Sequence, residues 1–405
     1  MRLAVELYDT MIGTLEGSAR TFDFHASATA LEHFGSNSTA LSVAIPLVSA
    51  QRRDHASRRR NWFAELLPEG DQYDFMLGQA GLRRGDTPAF LARFGRDVAG
   101  ALQIWDLDDP SEPRRPSLRE VDAEQIRALL QDPMGAPLGN AVQQGRTSLG
   151  GVQPKIALTR TAEGWAQALG GHPTTHILKP QLDAHPTVVF DEEYGSRLAR
   201  RLDVASFDTR IMDFAGINTL VIERFDRQGG RRIHQEDFNQ ALGAGANQKY
   251  QEFGGLVSLA RVATTLQRHT SARDLRRLAT MTTLAVAIGN LDMHAKNLGL
   301  LHLEDGETRL APAYDMVPHA VQGTSGRLAL AVNGEYRHSA ITLQDLQAEF
   351  ESWGLRRAEH VIRADLERLG EIIDDEHPLE GARPALHEDV RRFVSNLRSG
   401  AAIGG

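Results

Sequence analysis

The segment from Ser271 to Asp315 constrains this chain more than any other. Ser271-Ala272-Arg273-Asp274 has the Ser-x-x-Asp form of a helix start. Leu275, Leu278, Met281, Thr282, Ala285 and Ile288 follow at helical spacing, and Gly289-Asn290 stops the run. The predicted helix therefore delivers Leu291-Asp292-Met293-His294-Ala295-Lys296-Asn297 just past its end. Leu298 to Leu303 and Thr308 to Ala311 are apolar-rich runs joined by Glu304-Asp305-Gly306-Glu307, a strong hairpin signal. A hairpin returns the chain close to where it left, so Asp292, Asn297 and the Asp315 of Ala313-Tyr314-Asp315 can share one site. One carboxylate beside an attacking hydroxyl, with an amide and a second carboxylate to hold magnesium, is the set that phosphoryl transfer requires. The competing reading is that Asp292 caps a turn and Asp315 a helix.

Composition narrows the field. The chain has 405 residues, 41% of them hydrophobic, enough for two or three compact units with their own cores. Lys and Arg number 45 against 53 Asp and Glu, a net charge of -8. That balance excludes a general nucleic-acid binder and leaves room only for a local basic face. With no Cys there is neither a disulfide nor a thiolate zinc site. No stretch approaches the ~18 consecutive apolar residues of a membrane helix. Met1 to Asp9 lacks the basic start and apolar run of a signal peptide. The expectation is a soluble, cytoplasmic protein with no membrane contact.

Along the chain, Leu3 to Leu7, Gly13 to Leu15 and Phe22 to His25 read as short strands of a small antiparallel sheet. Asn61 to Gly70 opens a mostly helical stretch running to about Phe94. Asp108 to Pro116 is polar and Pro-rich, the best linker, and Gly135 to Arg146 is a softer boundary. Strands are expected at Lys155 to Thr159, Trp165 to Leu169, His176 to Lys179 and Asn218 to Ile222, with a helix near Asp191 to Leu202. After Arg227 the chain turns helical. The fold expected is α+β and two-lobed, kinase-like, with a strand-rich N-terminal half and a mostly helical C-terminal half. The units run 1–115, 116–226 and 227–405, with nucleotide between the lobes.

Other segments add chemistry. The loop from Gly145 to Lys155 precedes a strand, and Gly150-Gly151 lets backbone N–H groups approach phosphate oxygens without a Cβ in the way. Thr147 and Ser148 place hydroxyls there that can accept a phosphoryl group. The loop is neither a Walker A motif nor a full G-x-G-x-x-G, and a plain hairpin loop is the alternative. Lys179, closing the run Thr174 to Lys179 before Pro180, suits contact with ATP phosphates; the alternative is a snorkelling surface Lys. In Val221 to Arg227, backbone groups can meet an adenine edge while Phe225 supplies an apolar face. Alternatively its charges form a solvated turn. Ile233 to Phe238 reads as a helix start with structural acidic residues, Glu236 and Asp237, in its first turn. His234 and His294 lack metal-site spacing and read as hydrogen-bonding side chains.

Taken together, these segments resemble the HipA-type toxin kinases of bacterial type II toxin–antitoxin modules. The resemblance runs in order through Phe63 to Gly70, Gly95 to Leu102, Ser148 to Lys155, His176 to Pro180, Glu223 to Arg227, Gln235 to Phe238, Gly289 to Leu300 and Leu310 to Asp315. It implies a serine/threonine kinase using ATP and Mg2+, with Asp292 as catalytic base and Asn297 and Asp315 as magnesium ligands. It further implies ATP contacts from Gly150, Gly151, Val152, Gln153, Lys155, Lys179, Gln235, His294 and Tyr314, and an adenine-binding linker at Glu223, Arg224 and Phe225. Ser148 matches the serine whose autophosphorylation inactivates the enzyme, although Thr147 beside it offers a second hydroxyl. The implied partners are a small helix-turn-helix antitoxin, operator DNA reached mainly through it, and an aminoacyl-tRNA synthetase as substrate. The rival function is a catalytically weak corepressor kept for the antitoxin–operator complex. The intact Asp292, Asn297 and Asp315 set argues against it. A small-molecule phosphotransferase is a third possibility, which the loop's own Ser148 disfavours. From about Arg327 onward no motif is legible.

Overall fold

The computed structural model describes residues 1–112, 114–133, 153–245, 248–320 and 326–405. Thr147, Ser148, Gly150, Gly151 and Val152 lie outside these residues, as does the boundary expected at Gly135 to Arg146.

The first unit is a four-stranded antiparallel sheet in the order β3-β2-β1-β4, from β1 (Arg2–Leu7), β2 (Thr10–Glu16), β3 (Asp23–Ala26) and β4 (Gln103–Asp106). Helices α1 (Ala28–Phe34), α2 (Ala56–Ala64), α3 (Gly70–Ala80) and α4 (Thr87–Phe94) lie between β3 and β4 in the chain. Leu3, Val5, Ile12, Phe24, Trp62, Phe63 and Phe90 build its core. Burying large aromatic and aliphatic side chains on one sheet face drives this unit together.

The next sheet has six strands, every adjacent pair antiparallel, in the order β5-β7-β6-β8-β10-β9. Its strands are β5 (Ser117–Val121), β6 (Ile156–Arg160), β7 (Trp165–Leu169), β8 (His176–Pro180), β9 (Thr209–Phe214) and β10 (Ile217–Glu223). Ile126 and Leu130 of α5 (Ala123–Gln131) pack on Ile156, Leu158, Trp165, Leu178 and Val221. Helix α6 (Val188–Arg201) is shared between lobes. Val189 and Phe190 pack on Leu220 of the sheet, whereas Tyr194 and Leu198 join the large helical core.

The remainder is mostly helical. Two short hairpin partners, β11 (Arg227–Gln228) and β12 (Arg231–Arg232), precede β13 (His234–Asp237) and α7 (Phe238–Leu242). After α8 (Leu259–His269) comes α9 (Ala272–Ile288), the buried centre of this lobe. A three-stranded sheet follows in the order β13-β14-β15, with β14 (Gly299–His302) and β15 (Thr308–Leu310) forming the expected hairpin. Strands β16 (Arg327–Val332) and β17 (Glu335–Arg337) lead to α10 (Leu343–Ser352), α11 (Ala358–Asp375) and α12 (Leu386–Ser399). The last two pack on α9. No helix among the described residues is long and apolar enough to cross a membrane.

Several local expectations change. His234 to Asp237 is a strand, not the first turn of a helix, because its pairing with β14 leaves Glu236 buried among hydrogen-bond donors. The helix begins at Phe238, with Asp237 accepting from Gln240 N and the Gln240 side chain bonding back to Asp237 N. Helix α9 starts where expected, but the Ser271 hydroxyl donates to the Asp274 carboxylate at 3.2 Å and makes no cap bond to the backbone. It stops at Gly289 in the left-handed conformation, φ +74°. Strands β5 and β9 and helix α5 are additions. The exposed, charged run Ser-Leu-Arg-Glu-Val of β5 has no apolar alternation to announce it.

Gly195 shows how tightly α6 is seated, since a Cβ there would lie 1.8 Å from the carbonyl oxygen of Met316, next to Asp315. An interior helix glycine costs about 0.5–1 kcal/mol relative to Ala, so its presence here answers to close approach and not to helix stability. Gly195→Ala should therefore lower the unfolding free energy by about 1–3 kcal/mol, seen as a lower urea midpoint, despite improving helix propensity. An unchanged or raised midpoint would contradict this packing.

Candidate functional site

A cleft of about 380 Å³ lies between the six-stranded sheet and the helical lobe. Its sheet-side wall is set by β8, an inner strand paired with β6 and β10. Lys179, near the end of β8, is 5% exposed and is no snorkelling surface residue. Its ammonium lies 2.7 and 3.0 Å from the two carboxylate oxygens of Glu192 on α6, and 2.6 Å from Asp315 Oδ1. Burial opposes the charge on Lys179, but Asp315 and Glu192 outweigh it and hold the ammonium protonated well above its usual range. Glu192, deeply buried and beside Asp315 as well as Lys179, is pushed up to about 7. Lys155, immediately before β6, is also buried; desolvation and the nearby Lys179 bring it down to about 8. Gln153 lines the same cleft.

The opposite wall is the loop after α9. Asp292 is 42% exposed, accepts from the Tyr250 hydroxyl at 3.0 Å, and lies 3.9 Å from His294 Nε2. Its backbone N–H donates to Asn290 Oδ1 at 3.1 Å. Asn297 donates from Nδ2 to the Asp292 carbonyl at 2.8 Å, which folds the loop back on itself. The His294 ring meets the Tyr250 ring edge-on, and its Nδ1 is buried without a hydrogen-bond partner among the described residues. Burial keeps His294 below its usual pKa despite the neighbouring Asp292.

Two hydrogen bonds fasten this loop to the segment after the hairpin: Asn290 Nδ2 to Asp315 O at 3.2 Å, and Tyr314 OH to Lys296 O at 2.7 Å. Asp315 itself has φ +56°, a conformation sparsely populated for a residue with a side chain. Burial opposes its charge, but Lys179 and Lys155 hold the carboxyl well below the usual carboxylate range.

At the back of the cleft, Phe225 stacks on Tyr314 with centroids 5.4 Å apart and also packs on Phe207. Glu223 ends β10, where its N–H donates to Asp208 O and its carboxylate accepts from Asp208 N. Of the charges in Glu223 to Arg227 only Glu223 is exposed; Arg224, Asp226 and Arg227 are buried and do not form a solvated turn. The Arg224 guanidinium is buried and taken up by Asp226, Thr174 Oγ1 and Val98 O, so it has nothing left for a ligand. Gln235 donates from Nε2 to Asp226 Oδ2 at 2.9 Å. His234 is a hydrogen-bonding core residue, its Nε2 2.8 Å from Leu41 O.

The cleft thus brings together Gln153, Lys155, Lys179, Glu223, Arg224, Phe225, Gln235, Asp292, His294, Asn297, Tyr314 and Asp315. Sequence reading missed Glu192, Tyr250 and Lys296. For Glu192 a signal existed: a helix with Asp191-Glu192-Glu193 follows a strand that ends in Lys, and a buried lysine needs a carboxylate. Tyr250, in a loop without periodicity, gave none.

Known proteins extend this picture. The HipA N-terminal domain family matches residues 3–105 and the HipA-like C-terminal domain family matches residues 147–374. The chain belongs to the HipA family. It is 28% identical to the serine/threonine-protein kinase toxin HipA of Shewanella oneidensis, over 98% of this chain and 94% of that protein. It is 31% identical to Y4mE of Sinorhizobium fredii, over 84% of each. The structure superposes on Shewanella oneidensis HipA, solved in a complex with HipB and its operator DNA, with a TM-score of 0.80 at 25% identity, covering 98% of this chain and 99% of that one. The HipA-type, kinase-like α+β fold is therefore the fold of this chain.

In this HipA-type cleft, Lys179→Met would leave the Glu192 carboxylate, 1% exposed, without its cation. Stability should fall by about 3–5 kcal/mol, and Lys179→Met combined with Glu192→Leu should recover much of that loss. Urea unfolding of the two variants checks both halves. A double variant no more stable than the single one would mean that burial of this pair does not govern the site.

Proposed function

We propose that this HipA-family chain is an ATP-dependent serine/threonine protein kinase toxin with Asp292 as its base. What supports this above all is the Lys179 bridge to Glu192 and Asp315, facing Asp292 across one cleft. In kinases a strand lysine paired with a helix glutamate orients the ATP phosphates, and a carboxylate beyond the catalytic loop ligates magnesium. Asn297 and Asp315 suit that ion chemically. Nδ2 of Asn297 is spent on the Asp292 carbonyl, leaving Oδ1 as its ligating atom, and both offer hard oxygen donors. Among the described residues no group of three or more His, Asp or Glu could cage a metal. When bound, magnesium neutralises charge developing on the phosphates.

The remaining roles belong to the chain itself. Asp292, oriented by Tyr250, takes the proton of a serine or threonine hydroxyl as that oxygen bonds to the γ-phosphorus. The bond to the bridging β–γ oxygen breaks and ADP leaves. Lys155 and Lys179 hold phosphate oxygens, His294 and Gln235 add polar contacts, and Phe225 and Tyr314 provide the adenine's apolar wall. Glu223 and Arg224 contribute backbone only. Ser148, with Thr147 as the alternative, is the self-phosphorylation site that switches the enzyme off. By likeness to the Shewanella complex, the partner is a small DNA-binding antitoxin that carries the toxin to operator DNA. The substrate class proposed is an aminoacyl-tRNA synthetase, and the units are 1–115, 116–226 and 227–405.

Asp292→Ala should lower transfer from labelled ATP by about 10²–10⁴-fold, the range for a lost general base, with ATP affinity within a few-fold of wild type. Undiminished transfer would sink the assignment. Expression of the wild type alone should arrest growth and Asp292→Ala should not. Intact-mass and peptide mapping after incubation with ATP should find phosphate on Ser148 or Thr147 in the wild type; if neither gains one, self-inactivation through this loop is wrong.

The same reading carries a pH dependence. Lys155 is a cation below about 8 and loses its proton as pH rises through that value. ATP should therefore bind more weakly at pH 9 than at pH 7, and Lys155→Met should flatten that difference. Equal slopes in wild type and variant, by calorimetric titration, would remove Lys155 from phosphate binding.

A further inference from the structure

The first unit reaches into the cleft through one turn. Glu65 closes α2, and Glu69 stands at the position before α3 where a side chain would ordinarily cap the helix. The Glu69 carboxylate makes no such bond. Gly70, at φ +59°, lets the chain turn here, and both acids face the helical lobe instead. Glu69 Oε1 lies 2.8 Å from Lys296 Nζ, and Oε2 lies 2.8 Å from Lys249 Nζ. Glu65 Oε2 adds a second carboxylate to Lys296 at 2.9 Å.

These two lysines flank Asp292 from different segments. Lys296 stands four residues further along the same loop. Lys249 precedes Tyr250, whose hydroxyl donates to Asp292 Oδ1, and the Lys249 carbonyl accepts from Ala295 N at 3.4 Å. One carboxylate therefore clips the Lys249-Tyr250 segment onto the loop that carries the base. The ions are largely removed from solvent, with side-chain exposures of 9% for Lys296, 15% for Lys249 and 17% for Glu69, so their attraction is screened little. Burial alone would raise the Glu69 carboxyl, but Lys296 and Lys249 bring it down to about 2, so it is ionised throughout the neutral range.

We infer that Glu69 is a positioning residue for phosphoryl transfer, acting from the N-terminal unit through Lys249 and Tyr250 to fix the Asp292 carboxylate. This rests on Asp292 being the base. The ion pairs of Glu69 are to Lys249 and Lys296, and its charge bears on Lys155 less than Lys179, Asp315 and Glu192 do, so its loss should be felt more in the chemical step than in ATP binding. Glu65 serves as the comparison, since its ion pair is to Lys296 and not to Lys249.

The test uses the full-length protein, γ-labelled ATP and a degenerate serine/threonine peptide library. Glu69→Gln keeps the side-chain shape and should lower kcat by about 10–100-fold, in line with the cost of misplacing a catalytic group by about 1 Å. Its ATP Kd should stay within about 2-fold of wild type. Glu65→Gln should have the smaller effect on kcat. Tyr250→Phe should also lower kcat, and the Glu69→Gln/Tyr250→Phe double variant should lose no more than the worse single one, because both act along one path. Lys249→Met, which cuts the same bridge from its other end, should reproduce the kcat loss if Glu69→Gln folds poorly. Wild-type kcat in Glu69→Gln, additive losses in the double variant, or loss of ATP affinity in step with melting temperature would each overturn the inference. Wild type and Asp292→Ala run alongside. Transfer absent from wild type, or persisting in Asp292→Ala, overturns the kinase reading and this inference with it. Transfer present in wild type, lost in Asp292→Ala and normal in Glu69→Gln overturns this inference alone.

Discussion

The buried ammonium of Lys179 is the point on which the rest of this molecule depends. Removing such a charge from water costs several kcal/mol unless carboxylates surround it. Here they come from two distant places: Glu192 on α6 and Asp315 after the β14–β15 hairpin. Strand β8, helix α6 and the segment at Asp315 must therefore sit within about 3 Å reach of one another. Gly195 lets α6 approach the Met316 backbone closely enough, and Asp315 adopts a left-handed backbone to present its carboxylate. The loop bearing Asp292 is then tied in by Asn290 and Tyr314.

The N-terminal unit is bound to the rest by the same kind of chemistry. Glu236 of β13 is fully buried and accepts from Ser42 Oγ, Val43 N and Trp62 Nε1, with His302 Nε2 2.9 Å away. Asp97 of the first unit is paired with Arg224, Arg227 and Arg232, and also accepts from Thr174. Burial opposes its charge, but the guanidiniums outweigh burial and hold it well below the usual carboxylate range. Breaking either network would strand a charge in a dry interior. The surface between the first unit and the kinase-like lobes is thus specified by polar geometry as well as by apolar area.

How far the sequence could be read varied with the kind of signal. The apolar period of α9 and the glycine that ends it are local, and they appear where expected. The hairpin after Asn297 was legible for the same reason. Strand β13 was misread because its acidic residues look like a helix's first turn, whereas Glu236 is kept by donors some 66 to 194 residues away. Arg224 lines the cleft as part of the expected linker, and its guanidinium belongs to the network around Asp226 and Thr174, which no local pattern announced. Tyr250 carried no motif of its own.

The sequence by itself determined the α+β character, the hairpin that brings Asp315 back toward Asp292, and the run of segments resembling the HipA-type kinases. Periodicity, turn residues and short spacings encode these because each depends on neighbours a few residues away. The tertiary structure alone decided that Lys179 pairs with Asp315, 136 positions on, that Tyr250 holds Asp292, and that Glu69 of the first unit bridges Lys249 and Lys296. Those partnerships follow from how three cores pack and from which charges are left without water, and no local pattern carries that information.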